Sequence, residues 1–178
     1  MQQKCVFLDR DGVLNRERGD YTYRLEDFEV LPGVPEALAL LKQNGYLLVV
    51  VTNQGGVAKG LYTKADVLAC HQKLQNSCNH LLDALYYAPS HPAFSESLSR
   101  KPDSLMLERA IARYSIDPMQ SWMVGDSERD LQAAEKVGVP TIMVGDKYEP
   151  NSYTYQVHNL WEAAQLILEN DEVRKGKL

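Results

Sequence analysis

Two aspartates separated by one residue, Asp9 and Asp11, end the short apolar run CVFLD and are followed at once by Gly12. Residues two apart in an extended chain point the same way, so both carboxylates can enter one pocket. A second acidic stretch, Gly125-Asp126-Ser127-Glu128-Arg129-Asp130, closes the apolar run SWMVG. After YLLVVVT the chain reads Thr52-Asn53-Gln54-Gly55-Gly56, a hydroxyl, two amides and a pliant backbone suited to cradling a phosphate. The long polar loop APSHPAFSESLSRKP delivers Arg100 and Lys101. Crowded carboxylates repel unless a cation lies among them. A set of oxygen ligands without His or Cys suits Mg²⁺, which takes few protein groups and completes its shell with water and substrate phosphate. The matching chemistry is phosphoryl transfer, in which neutralising and positioning the charged group supplies most of the catalysis.

These groups meet only if the intervening elements bring four separate segments to one rim. The runs 5–9, 46–52, 84–88, 121–125 and 140–145 are continuously apolar, as strands of a parallel sheet covered on both faces must be. Helical stripes lie between them: Val34, Ala37, Leu38 and Leu41; Val67, His71, Leu74 and Cys78; Leu107, Ala110, Ile111 and Tyr114; Leu131, Ala134 and Val137. Thr63 with Asp66, and Asn159 with Glu162, are the start signals of two of these helices, the latter carrying Leu160, Ala164, Ile167 and Leu168. The β-α-β repeat predicts an α/β fold, a doubly wound Rossmann-like parallel sheet whose ligands bind beyond the carboxyl ends of the strands. Residues 1–170 are expected to form a single domain, and the charged tail DEVRKGKL (171–178) to fray.

A net charge of −5 argues against general attraction to nucleic acid or anionic membranes, so a bound phosphate must be held by local cations and amides. No apolar run approaches a membrane span. Cys5, Cys70 and Cys78 form no CxxC pair and read as buried apolar residues of a reducing compartment. The start MQQKCVFLDRDG leaves no room for a signal peptide, and a cytoplasmic monomer is expected.

Four motifs in order, DxDG after the first strand, Thr after the second, Lys before the third helix and GDxxxD after the fourth strand, resemble the haloacid dehalogenase (HAD) superfamily of phosphatases. The resemblance implies that Asp9 is a nucleophile forming an aspartyl phosphate and Asp11 the general acid and base. It assigns Thr52 and Lys101 to the phosphoryl oxygens. Mg²⁺ falls to the Asp9 carboxylate, the Asp11 main-chain carbonyl and Asp126. Asp130 either supports that metal site from behind or pairs with a nearby cation. Asn53, Gln54 and Arg100 are the expected substrate contacts, Arg100 toward a second phosphate.

FLDRDGVLN, EDFEVLPGVPEAL, TNQGGVAKGLYT, the dipeptide YY and RKP narrow the resemblance, over residues 4–145, to one subgroup. It holds the D-glycero-D-manno-heptose 1,7-bisphosphate 7-phosphatases and the histidinol-phosphate phosphatases. TNQGGVAKGLYT and the loop Asn15–Tyr23 favour the heptose branch, which has no separate cap domain and serves nucleotide-activated heptose and lipopolysaccharide synthesis. The implied partner is a small phosphorylated sugar. The alternatives are a histidinol-phosphate phosphatase, another small phosphomonoesterase, or a receiver-like phosphoacceptor domain. The last needs its phosphoacceptor Asp after the third strand, where this chain has Ala88-Pro89-Ser90.

The chain departs from the subgroup at a structural zinc. The four ligand positions are here Ala88, Ser90, Ser97 and Ser99, so no zinc is expected. Phe94 and Leu98, prolines 89 and 92, and serine hydrogen bonds are then expected to hold a loop more mobile than its zinc-bound counterpart. Arg16, Arg18 and Lys59 read as surface charges and His71 as a packed boundary residue. Tyr21 and Tyr23 either line the pocket or pack their own loop.

Overall fold

The computed structural model describes residues 2–174 and 176. In chain order the elements are β1 (Cys5–Leu8), α1 (Val34–Gln43), β2 (Leu47–Asn53), α2 (Lys64–Ser77), β3 (Ala84–Ala88), α3 (Leu105–Tyr114), β4 (Trp122–Gly125), α4 (Glu128–Glu135), β5 (Thr141–Val144), β6 (Gln156–Val157) and α5 (Leu160–Arg174). The strands form one parallel sheet of order β3-β2-β1-β4-β5-β6. The expected five strands are all present. β6 is the addition, two residues long and thus too short to show a period.

Successive residues of the central strands serve opposite faces, which is why these runs are apolar throughout. Val6 and Leu8 of β1, Leu48 and Val50 of β2 and Val124 of β4 pack with α1, α2 and α5 through residues such as Leu38, Leu74 and Ile167. Cys5, Phe7, Val49, Val51 and Met123 pack on the other face with Met106, Leu107 and Ala110 of α3 and Ala134 of α4. Burying each large side chain stabilises the fold by about 1.5–3 kcal/mol. Thr63 and Asp66 form a reciprocal capping box at α2, and Asn159 accepts from the Glu162 amide at 3.0 Å to open α5.

The segment expected as a tail from 171 begins inside α5. Helix α5 continues to Arg174 because Asp171 is buried and accepts from Lys4 Nζ at 2.7 Å and Tyr46 hydroxyl at 2.8 Å. These bonds tie the last turn to the residues that lead into β1 and β2; residues 175, 177 and 178 lie outside the described residues. No described helix is long and apolar enough to cross a membrane.

The direction of chain progression reverses between β1 and β4: from β1 the chain builds outward through β2 and β3, then returns to add β4 on the other side. Strand ends diverge at such a reversal and leave a crevice. Leu8 is in register with Val124, and the Asp9 amide donates to Val124 carbonyl at 3.0 Å. Asp9 and Asp126 therefore emerge side by side.

Candidate active site

At that crevice lies a cavity of about 480 Å³ whose lining includes Asp9, Asp11, Thr52, Gln54, Lys101 and Asp126. Carboxylate oxygens of Asp9, Asp126 and Asp130 lie within 4.8 Å of one another, and all three residues are buried. Two glycines make this crowding possible. Gly12 adopts φ +87°, and a Cβ there would sit 2.2 Å from Asp126 Oδ2; a Cβ on Gly125 would sit 2.3 Å from Asp130 Cβ. Asp130, the third residue of α4, also closes a capping box, accepting from the Ser127 amide at 3.1 Å and its hydroxyl at 2.7 Å.

Lys101 enters between the acids. Its Nζ lies 2.9 Å from Asp9 Oδ1, 2.7 Å from Asp130 Oδ1 and 2.7 Å from Val51 carbonyl oxygen. Asp130 thus pairs with a cation and also keeps its carboxylate within 4.8 Å of those of Asp9 and Asp126, so its position meets either expectation. Burial would depress the Lys101 ammonium, but Asp130 and Asp9 more than offset this and raise it. Burial first, and then the charge of Asp130, push the Asp9 carboxyl up to about 7 despite Lys101. The three carboxylates of the cluster outnumber the two lysines that reach it, Lys101 and Lys147. Together with an all-oxygen donor set, that fits a hard divalent cation held by Asp9 and Asp126.

Asp11 lines the same cavity but stands apart from this cluster. Its Oδ2 accepts from Arg10 Nε at 3.1 Å and Gln54 Nε2 at 3.1 Å; its Oδ1 accepts from Arg10 Nη2 at 3.0 Å and Asn15 Nδ2 at 2.9 Å. Arg10 and Asn15 are buried, and Arg10 is further anchored by Thr22 carbonyl at 2.7 Å and the Phe28 ring. Sequence reasoning missed both residues. The signal available was an arginine between two strand-end acids, which has to find a partner once it is buried.

Thr52 is buried with its hydroxyl accepting from Gln54 Nε2 at 3.0 Å. Gln54 in turn accepts at Oε1 from the Tyr62 hydroxyl at 2.7 Å, which fixes the orientation of its amide. Asn53, expected to contact substrate, ties both ends of its amide to Lys101, accepting from the backbone N–H and donating to the carbonyl, each at 3.0 Å. Tyr21 lines the cavity whereas Tyr23 stacks on Tyr62, so the two expectations for these tyrosines divide between them. Arg16 and Arg18 pair with Glu29 and Asp27 at the surface, as expected. Burial lowers the His71 imidazole, in keeping with a boundary residue.

Lys147, also missed by the sequence reading, reaches Asp126 from the loop after β5. Burial and Lys147 act in opposite senses on Asp126, and its carboxyl is raised.

In the loop before Lys101, one expectation is corrected. Phe94 and Leu98 are 65% and 69% exposed, and the Phe94 ring meets the loop only edge-on at His91, at 6.4 Å, so they form no apolar core for it. Polar bonds hold it instead: Ser97 Oγ lies 2.8 Å from Ser99 Oγ, Arg100 Nη1 donates to Ser90 carbonyl at 3.1 Å, and the Ala58 amide to Pro89 carbonyl at 3.1 Å. Ala88 is buried at the end of β3.

Comparison with known proteins places these features. Residues 98–163 match the family model described as HAD-hydrolase-like. The D-glycero-beta-D-manno-heptose-1,7-bisphosphate 7-phosphatase of Haemophilus ducreyi is 41% identical over 150 residues, covering 79% of this chain and 82% of that protein. The D-glycero-alpha-D-manno-heptose-1,7-bisphosphate 7-phosphatase of Burkholderia mallei is 35% identical, covering 81% of this chain and 80% of that protein. Among solved structures, the D,D-heptose 1,7-bisphosphate phosphatase of B. bronchiseptica, complexed with magnesium and phosphate, superimposes with a TM-score of 0.84. It is 30% identical and the match covers 94% of this chain and 99% of that one.

Proposed function

The chain belongs to the HAD-type heptose-1,7-bisphosphate 7-phosphatase family of phosphoric monoester hydrolases, and from that membership we propose that it converts D-glycero-D-manno-heptose 1,7-bisphosphate to heptose 1-phosphate. The observation that carries this reading is the meeting of Asp9, Lys101, Thr52 and Asp11 in one cavity that also reaches Arg100. We take it to be a cytoplasmic monomer acting on a small phosphorylated sugar, which local cations must hold because the chain's net charge is −5.

Asp9 Oδ1 takes hydrogen bonds from Lys101 Nζ and the Arg10 amide, which leaves Oδ2 to attack phosphorus. The new Oδ2–P bond forms as the bond from phosphorus to the sugar oxygen breaks. Asp11 delivers the proton to that departing oxygen. It then takes a proton from the water that cleaves the aspartyl phosphate, releasing inorganic phosphate and restoring Asp9. The fork of Arg10 fixes the plane of the ionised Asp11 carboxylate for the second transfer, in which Asp11 takes the proton of water. Lys101 and the Thr52 hydroxyl hold the phosphoryl oxygens, and Asn53 holds Lys101 in place. Asp9, Asp126 and the Asp11 carbonyl would hold a Mg²⁺ ion, which when bound would neutralise charge on the transferred group.

Phosphate release with Mg²⁺ should show the highest kcat/KM on the heptose bisphosphate, compared with histidinol phosphate and fructose 1,6-bisphosphate. A preference for histidinol phosphate would overturn the substrate. An Asp9→Asn enzyme of full activity would overturn the covalent route.

A further inference from the structure

Arg100 and Arg129 both border the cavity, and neither forms an ion pair among the described residues. Arg100 donates Nη1 to Ser90 carbonyl at 3.1 Å, and Arg129 donates Nε to Ser127 Oγ at 3.3 Å, so each guanidinium keeps most of its five donors unused. Gly55 leaves room for the first of them, since a Cβ there would sit 3.1 Å from Arg100 Nη1. Burial lowers the Arg100 guanidinium and the charge of Arg129 lowers it further, as expected of two cations facing one space. Two guanidinium groups that border one cavity without an acidic partner repel each other, and an anion between them removes the repulsion while filling their remaining donors.

Carboxylates line another part of the cavity. Glu17 accepts from the Gly19 amide and Asp20 from the Tyr21 amide, each at 2.7 Å through one oxygen, which leaves acceptors for hydroxyl groups. A ligand carrying an anionic group at one end and hydroxyls along its length matches that division.

We propose that Arg129, together with Arg100, clamps the phosphate that is not hydrolysed, and so selects bisphosphates over monophosphates. The position is coupled to the chemistry through the backbone: Arg129 directly precedes Asp130, whose side chain turns inward to Lys101 while that of Arg129 stays exposed at the cavity mouth. The clamp deepens the function proposed above and rests on it.

Steady-state kinetics of wild type, Arg129→Gln and Arg129→Glu on the heptose 1,7-bisphosphate and on heptose 7-phosphate, which keeps only the scissile group, test it. In Arg129→Gln, kcat/KM for the bisphosphate should fall about tenfold through KM, with kcat within about twofold. Turnover of the 7-phosphate should stay within about twofold, and Arg129→Glu should deepen the loss on the bisphosphate alone. Equal losses on both substrates, or an undiminished preference in the variants, would overturn the clamp and leave the substrate assignment standing. A wild-type enzyme indifferent to the second phosphate would overturn both.

Discussion

Lys101 and Asp130 form an ion pair of 2.7 Å in which each side chain is only 1% exposed. Their residues stand 29 positions apart, on different sides of β4, and the pair forms only because α4 turns Asp130 under the end of the crevice. Lys101 also holds Asp9, so one ammonium joins a proposed nucleophile to a helix N-terminus. Removing it leaves two buried carboxylates facing each other. Lys101→Met should therefore lower the stability of the metal-free protein by about 3–5 kcal/mol in urea unfolding, besides abolishing turnover. Unchanged stability would refute the view that this lysine organises the cluster.

Lys147 occupies Asp126 from outside, and its side chain is 55% exposed, so solvent screens much of its field. It competes with any divalent cation for the same carboxylate. Lys147→Met should bind Mg²⁺ about three- to tenfold more tightly by calorimetry. Weaker binding would mean that Lys147 orients Asp126 for the metal and does not compete with it.

The loop between β3 and Lys101 offers Ala88, Ser90, Ser97 and Ser99 at the positions where the sequence resemblance implies zinc ligands. Its serine hydroxyls bond to each other and its backbone to Arg100. Elemental analysis of purified, untagged protein should find well under about 0.1 zinc per chain, and chelators should leave its unfolding temperature unchanged. A stoichiometric ion would overturn the expectation.

On the far edge of the sheet, His158 Nδ1 lies 2.6 Å from Asp146 Oδ1, and this carboxylate raises the imidazole above its ordinary 6.5. The protonated ring is favoured in the folded state. Whatever stability it contributes is complete below pH 6.5 and disappears as pH rises through the higher folded midpoint. An NMR titration should place the His158 midpoint above 6.5, and Asp146→Asn should return it. A midpoint unmoved by that substitution would assign the shift to another group.

The strand-end residues were readable without coordinates because local pattern carries them. Short continuous apolar runs bounded by turn residues fit strands buried on both faces, DxDG, the Thr52 segment and GDxxxD stand where such runs stop, and Arg100-Lys101 ends the loop after the third. Capping pairs such as Thr63 with Asp66 are equally local, since the residues that bond are three apart. Helix α5 running past 170 was hidden because its last turn depends on Lys4 and Tyr46, more than a hundred residues away. The exposure of Phe94 and Leu98 was hidden for a similar reason: hydrophobicity alone does not say whether a neighbour will be there to cover it.

By itself, then, the sequence determined a doubly wound parallel sheet and which four segments meet at its rim. Only the tertiary structure decided how the charges at that rim are partnered. Lys101 stands between Asp9 and Asp130, Arg10 forks onto Asp11, Lys147 covers Asp126, and Arg100 and Arg129 are left facing the cavity without acids. The physical reason is range. Secondary structure follows from residues a few positions apart, whereas an ion pair depends on where side-chain ends arrive after register and helix packing have been set. Here the alignment of Leu8 with Val124, and two glycines that let backbone and carboxylate approach, set those positions.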